Sequence, residues 1–142
     1  MEWIVDISFW GVAHGTSAFL PVLRRSGGGT VVNVSSASGP LGMPSQLAYA
    51  ATKFAVRGFT ESLRMELLIA GWPTRVMCVH PGRIRTSPDR AARAIVDGVA
   101  RHKIRLLVGV DAVVMDVLQR AFPVGYQRLA GYATRQALRS YS

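Results

Sequence analysis

Tyr49 and Lys53 lie four residues apart. On a helix that spacing sets a phenol and an ammonium on one face, one turn from each other. A free phenol titrates at about pH 10, too high for a useful acid or base at neutral pH. A nearby ammonium favours the phenolate. Upstream, Ser35, Ser36 and Ser38 follow the apolar run Val31, Val32, Val34. A serine hydroxyl at a strand end can reach the same spot and hydrogen-bond a substrate oxygen. Together such groups can move a proton to or from a carbonyl or alcohol oxygen.

The flanking pattern supplies elements to position them. Residues 30–35 read as a buried strand. Gly39, Pro40, Gly42 and Pro44 break regular structure after it. Residues 47–70 read as a long helix, with Tyr49 and Lys53 near its start and Gly71 and Pro73 ending it. Before the strand, residues 3–25 suit a helix with Arg24 and Arg25 in the last turn and a kink at Pro21. Gly27, Gly28 and Gly29 lead into a strand without a following Lys-Ser/Thr, so they read as a tight turn and not as a phosphate loop. Residues 75–80 give a second strand, closed by Pro81-Gly82. Ser87, Pro88 and Asp89 open a helix reaching about Arg101. Residues 104–108 make a third strand, Asp111 caps another helix, and Pro123 interrupts it. The expected fold class is α/β: a partial Rossmann-like, doubly wound fold of about three parallel strands with flanking helices.

These residues carry a family resemblance. Tyr49-Ala-Ala-Thr-Lys53 matches YxxxK, Ser36 lies thirteen residues before the tyrosine, Val32 to Ser36 reads VNVSS, and His80 to Thr86 reads HPGRIRT. In this order and spacing they resemble the short-chain dehydrogenase/reductase family over most of the chain. The resemblance implies hydride transfer between NAD or NADP and a small carbonyl or secondary alcohol. It makes Tyr49 the general acid/base. Lys53 would favour the phenolate and bind the nicotinamide ribose. Ser36 would orient the substrate oxygen, with Ser38 beside it. Pro81, Gly82, Ile84 and Thr86 would border the cofactor. Ser8 stands where relatives carry an asparagine that helps hold a relay water, and serine lacks the reach of an amide. His80 reads as a hydrogen-bonding residue at a strand end, not a catalyst. No metal site is expected.

Two family features have no counterpart. No strand with a TGxxxGxG turn precedes the first helix, and no long substrate-covering segment follows Thr86. On this reading residues 1–142 are one domain, the C-terminal portion of an NAD(P)-binding Rossmann domain, with 111–142 as a helical extension. Weak or no activity is expected of this chain alone. The alternative is a truncated, non-catalytic paralogue acting as an interaction module. The first strand, lacking an upstream neighbour, would leave an apolar edge to be covered.

The chain has 142 residues, enough for one domain with a core, and is about half apolar with 18% charged residues. No apolar run is long enough to span a bilayer, and Glu2 and Asp6 argue against a signal peptide. A lone cysteine, Cys78 in an apolar run, reads as a buried thiol in a reducing compartment, so a cytoplasmic protein is expected. Net charge is +9. The arginines are scattered and no nucleic-acid reading motif is present, which argues against nucleic-acid binding. Ala51, Ala55, Gly58 and Ser62 form a small-residue stripe on the 47–70 helix. It suits either the chain's own sheet or, as the resemblance implies, a homo-oligomer or partner subunit. The basic tail from Val124 can cover the sheet, pack on a partner or rest on a membrane surface, with the first two preferred.

Overall fold

The structure, a computed structural model, describes residues 1–82 and 87–139, the last three of these by backbone alone. Three parallel strands form one sheet in the order β1-β2-β3: Gly29–Val34, Thr74–Pro81 and Arg105–Val108. In the register, Val34 pairs with Val79 and Pro81 with Val108. Parallel strands need crossovers, and helices supply them. These are α3 (Leu47–Ile69) between β1 and β2, and α4 (Pro88–Ala100) between β2 and β3. The chain starts with α1 (Glu2–Val5), a π-helical turn (Asp6–Trp10) and α2 (Gly11–Arg25), and ends with α5 (Val110–Ala121) and α6 (Gly125–Arg139). Strand and helix limits agree with the sequence reading to within about two residues, the usual slack of element ends.

Alternation along β2 divides the core. Met77 and Val79 join Leu106 and Val108, and α4 covers them with Ala91, Ala94, Ile95 and Val99. Gly98 of α4 lies where an added methyl group would come within 3.3 Å of Met77 Sδ. Cys78 and His80 point to the other side. There Cys78 meets Thr60 of α3. Helices therefore cover both faces, as buried parallel sheets require.

The first helix carries one feature that the sequence did not indicate. It continues through Pro21 to Arg25, and its departure from α geometry falls at Asp6–Trp10, the turn that contains Ser8. The joining residues Asp6 and Gly11 keep right-handed helical dihedrals, so the three segments follow one another without a break. Proline 21 removes one N–H donor, and the helix tolerates that loss. One correction concerns Asp111. The residue before α5 is Gly109, at φ 100°, and Asp111 sits inside the first turn, not at the cap. Glycine is suited to that left-handed position, and the acid still meets the positive end of the helix.

Polar residues hold the layers in register. Asn33 accepts from Thr16 Oγ1 at 3.2 Å and donates to Thr60 Oγ1 at 3.2 Å, joining α2, β1 and α3 through one buried amide. Asp116 of α5 accepts from both terminal guanidinium nitrogens of Arg105 on β3 and also from Nε of Arg120, and the Arg105 pair fastens α5 to the sheet. Beside β1, a groove of about 490 Å³ runs between that strand and α2, lined by Val12, Phe19, Leu23 and Val32 among others. Among the described residues β1 and β3 are the two outer strands of the sheet.

Candidate active site

All three strands end on the same side of the sheet, where polar loops follow them. In open parallel sheets ligands bind at those carboxyl ends. The chain leaving β1 stays on β2: Ser35 N–H donates to the Val79 carbonyl at 2.8 Å and Ala37 N–H to the Pro81 carbonyl at 2.9 Å. Gly82 N–H donates to the Val108 carbonyl at 2.8 Å, so the turn after β2 is pinned to β3.

Ser36 is buried within a tight turn. Its Oγ accepts from Ser38 N–H at 3.2 Å. Its carbonyl accepts from Gly39 N–H at 2.8 Å and from His80 Nδ1 at 3.0 Å. A carbonyl can only accept, so Nδ1 carries the ring proton. His80 is fully buried, and burial holds its pKa below the usual imidazole value. Its other nitrogen, Nε2, has no partner among the described residues. Gly39 has no room for a side chain, since a Cβ there would overlap Ser35 Oγ and press on the Ser36 carbonyl. The Ser38 hydroxyl reaches Gln46 Oε1 at 3.5 Å, a long contact.

Tyr49 and Lys53 occupy the first two turns of α3, both half-buried. The lysine reaches back to the end of β1: Nζ donates to the Val34 carbonyl at 3.1 Å. Its own carbonyl accepts from Ser35 Oγ at 2.8 Å, which ties the start of α3 to the same strand end. Lys53 Nζ lies 5.7 Å from the centroid of the Tyr49 ring. Burial lowers the Lys53 pKa, because desolvation disfavours the ammonium. The end of β1 thus holds the Ser36–Ser38 turn and the Lys53 ammonium, which faces the Tyr49 ring, and no described hydrogen bond joins Ser36 to Tyr49 or Lys53.

Other expected site residues lie elsewhere or beyond description. Ser8 sits half-buried on the π-helical turn. That turn rests on α3 through Phe9, whose ring meets Phe59 edge-on at 6.2 Å. No described hydrogen bond joins Ser8 to Ser36, Tyr49 or Lys53. Pro81 and Gly82 close β2, and Gly82 packs so tightly on the Asp111 carboxylate that a Cβ would overlap it. Ile84 and Thr86 lie outside the described residues. Two polar residues take a larger part than the sequence suggested. Asn33 joins three elements, and its signal was an amide inside an apolar strand. His80 holds the Ser36 turn, and its signal was a histidine at the same strand end. Cys78 is buried as expected, and burial pushes its thiol up to about 11, so it stays protonated at neutral pH.

A parallel sheet with helices on both faces and hydroxyl, phenol and ammonium groups at its strand ends defines a Rossmann-like protein with a polar site. Comparison with known proteins places it more closely. A family model described as short chain dehydrogenase matches residues 1–96, and the chain belongs to that family. SadH of Mycobacterium tuberculosis, named as an oxidoreductase, is 45% identical over 157 residues, covering 91% of this chain and 57% of SadH. The Bacillus subtilis oxidoreductase YxnA is 36% identical over 119 residues, covering 83% of this chain and 33% of YxnA. Among solved structures, a short chain dehydrogenase from Burkholderia cenocepacia in complex with NADP superposes with a TM-score of 0.73 at 28% identity, covering 89% of this chain and 56% of that one. A Burkholderia phymatum relative in complex with NAD shares the fold, with a TM-score of 0.73 at 22% identity over 88% of this chain and 58% of its own. The chain therefore spans less than two thirds of the length of these relatives.

Proposed function

We propose that the chain forms the substrate side of a site where hydride passes between NAD or NADP and a small carbonyl or secondary alcohol. The observation that carries this reading is the position of Lys53. Its ammonium is fixed to the end of β1 and lies within one side-chain length of the Tyr49 ring.

The donor set suits a nicotinamide nucleotide. An ammonium has three N–H donors and Lys53 commits one to Val34, which leaves two for vicinal ribose hydroxyls. Tyr49, Pro81 and Gly82 adjoin that position in the reading. When bound, the nicotinamide supplies or accepts the hydride.

The chain's own groups handle the proton. In reduction the Tyr49 hydroxyl gives its proton to the substrate oxygen, and in oxidation its phenolate takes the proton back. Ser36 Oγ already accepts from Ser38 N–H, so its own proton is free to hydrogen-bond the substrate oxygen. Ser38 offers a second hydroxyl close by. His80 and Gly39 N–H hold the Ser36 carbonyl, which fixes the direction of that donor. Ser8 has no assigned proton step in this scheme.

A second surface belongs to the same reading. Phe9, Ala55, Gly58, Phe59, Ser62 and Leu63 border an open depression of about 450 Å³ on α3. Small residues there allow close helix approach, which supports assembly with a second copy or a partner subunit through α3.

Titration with NADH and with NADPH, followed by fluorescence, tests the reading. Saturable binding is expected, with any turnover of a carbonyl compound weak in this chain alone and lost in Tyr49→Phe. Absence of saturable binding, or unchanged turnover in Tyr49→Phe, overturns it and favours a non-catalytic interaction module.

A further inference from the structure

The C-terminal helices carry an apolar surface that the proposed redox chemistry does not use. On α5, Val110, Val113, Val114 and Val117 recur at helical spacing, and all four are exposed, Val110 by 80%. The opposite side of the helix is the fastened one. Ala112 and Asp116 are buried there, with Asp116 held by Arg105. The connector to α6 continues the pattern, with Phe122 60% and Val124 69% exposed. α6 is likewise held by one side. Tyr126 is buried and its hydroxyl accepts from Gly42 N–H at 3.1 Å, whereas Leu129 and Tyr132 are more than 60% exposed. A run of this length with an outward apolar side marks a surface that meets something other than water.

Charge indicates what it meets. From Val117 to Ser142 the sequence holds four arginines and no aspartate or glutamate. Arg128, Tyr132 and Arg135 follow at steps of four and three, which puts them in one stripe along α6 with Leu129 beside it. Both arginines are exposed. A two-fold contact between copies of this surface would set arginine against arginine with no outward acid to answer, because Asp111 lies against Gly82 and Asp116 is buried on Arg105. An anionic bilayer answers both features. Valine, leucine and phenylalanine side chains enter the boundary between headgroups and acyl chains, tyrosine lies at the interface, and arginines meet phosphate. No helix among the described residues is long and apolar enough to cross a membrane, so the contact is peripheral. The surface also lies on the β3 side of the sheet, across from the groove that flanks β1.

We propose that residues 110–136 form a peripheral docking surface for bilayers rich in anionic phospholipid. This takes up the third of the readings drawn from sequence, in place of the two preferred there, a tail that covers the sheet or packs on a partner. The inference does not depend on the redox reading, and its test does not measure activity.

The test is co-sedimentation of the full chain with vesicles of phosphatidylcholine alone or of phosphatidylcholine with phosphatidylglycerol. Binding to the anionic vesicles is expected, with at least tenfold weaker binding to neutral ones and release by high salt. The double variant Arg128→Glu/Arg135→Glu should lose about tenfold or more of the anionic binding, and so should Val117→Asp/Leu129→Asp. These positions are exposed, so unchanged circular dichroism should show that both variants fold. Equal sedimentation of wild type and both variants overturns the proposal. It is also overturned if the wild type ignores anionic vesicles but forms a dimer that Val117→Asp/Leu129→Asp dissociates, because the face is then covered by a second copy. Loss of nicotinamide binding with lipid binding intact would overturn the redox reading alone.

Discussion

His80 donates its Nδ1–H to the carbonyl of Ser36 at 3.0 Å, across the ends of two adjacent parallel strands. The histidine is on β2 and the serine is two residues past the end of β1. The bond therefore fixes the turn that presents the Ser36 hydroxyl, using a side chain that never reaches the substrate side itself.

Replacing His80 should loosen that turn. His80→Ala removes a buried donor and leaves a cavity, which should cost about 3 kcal/mol of stability. In the proposed enzyme it should lower kcat more than it raises KM, because Ser36 acts on the reacting oxygen and not on cofactor binding. His80→Asn, which keeps a donor, should recover part of the stability. Chemical denaturation and steady-state kinetics measure both. An Ala variant as stable as wild type would remove His80 from this role.

The same burial makes the fold sensitive to acid. The folded pKa of His80 lies below its unfolded value of 6.5. Above 6.5 the ring is neutral in both states, and stability is unaffected by its titration. As pH falls below that value the unfolded chain takes up a proton first, so stability declines until pH passes the folded pKa. A protonated ring would also put a buried positive charge near Arg105 and Arg57, which oppose it, with only Asp116 and the Ser36 carbonyl in favour. Melting temperature should therefore drop from about pH 7 to about pH 5, and His80→Asn should flatten that segment of the profile. Parallel profiles for the two proteins would count against this source of acid sensitivity.

Lys53 is predicted to matter more for ligand than for fold. Lys53→Met keeps the aliphatic stem but removes the hydrogen bond to Val34, a loss of about 1 kcal/mol or less at a half-buried position. Because burial already lowers the Lys53 pKa, loss of the charge recovers some desolvation cost. NAD(P)H affinity should fall about tenfold or more while the melting temperature stays within a few degrees. A large drop in stability with unchanged affinity would make the lysine structural.

Asp116 should be the main electrostatic fastening of α5. It accepts from Arg105 and Arg120, and the Arg105 hydrogen bonds hold its carboxyl below the ordinary value of 3.8. Its contribution is present above 3.8 and is lost as pH falls through the folded pKa. Asp116→Asn should cost about 3 kcal/mol, since it leaves the partly buried Arg105 without its partner. Urea denaturation at neutral pH measures the loss, and the variant should show a smaller further loss on acidification below 3.8. Equal acid sensitivity in both proteins would place the effect elsewhere.

Sequence alone determined the elements and the chemistry-bearing spacing. Apolar runs of four to six residues, separated by helical periods and glycine or proline turns, allow few arrangements other than parallel strands with crossover helices. A four-residue separation on a helix places Tyr49 and Lys53 on one face in any fold. Contacts between residues distant in the chain were decided only by the tertiary structure. His80 with Ser36, Asn33 between Thr16 and Thr60, and Tyr126 with Gly42 span 17 to 84 residues. Local pattern carries no information on which strand ends meet, because that depends on register and on packing across the whole sheet. Which side of α5 and α6 faces outward has the same origin. Val113 and Tyr126 are both apolar in the sequence, and only docking through Asp116 and Gly42 leaves the valine exposed and buries the tyrosine.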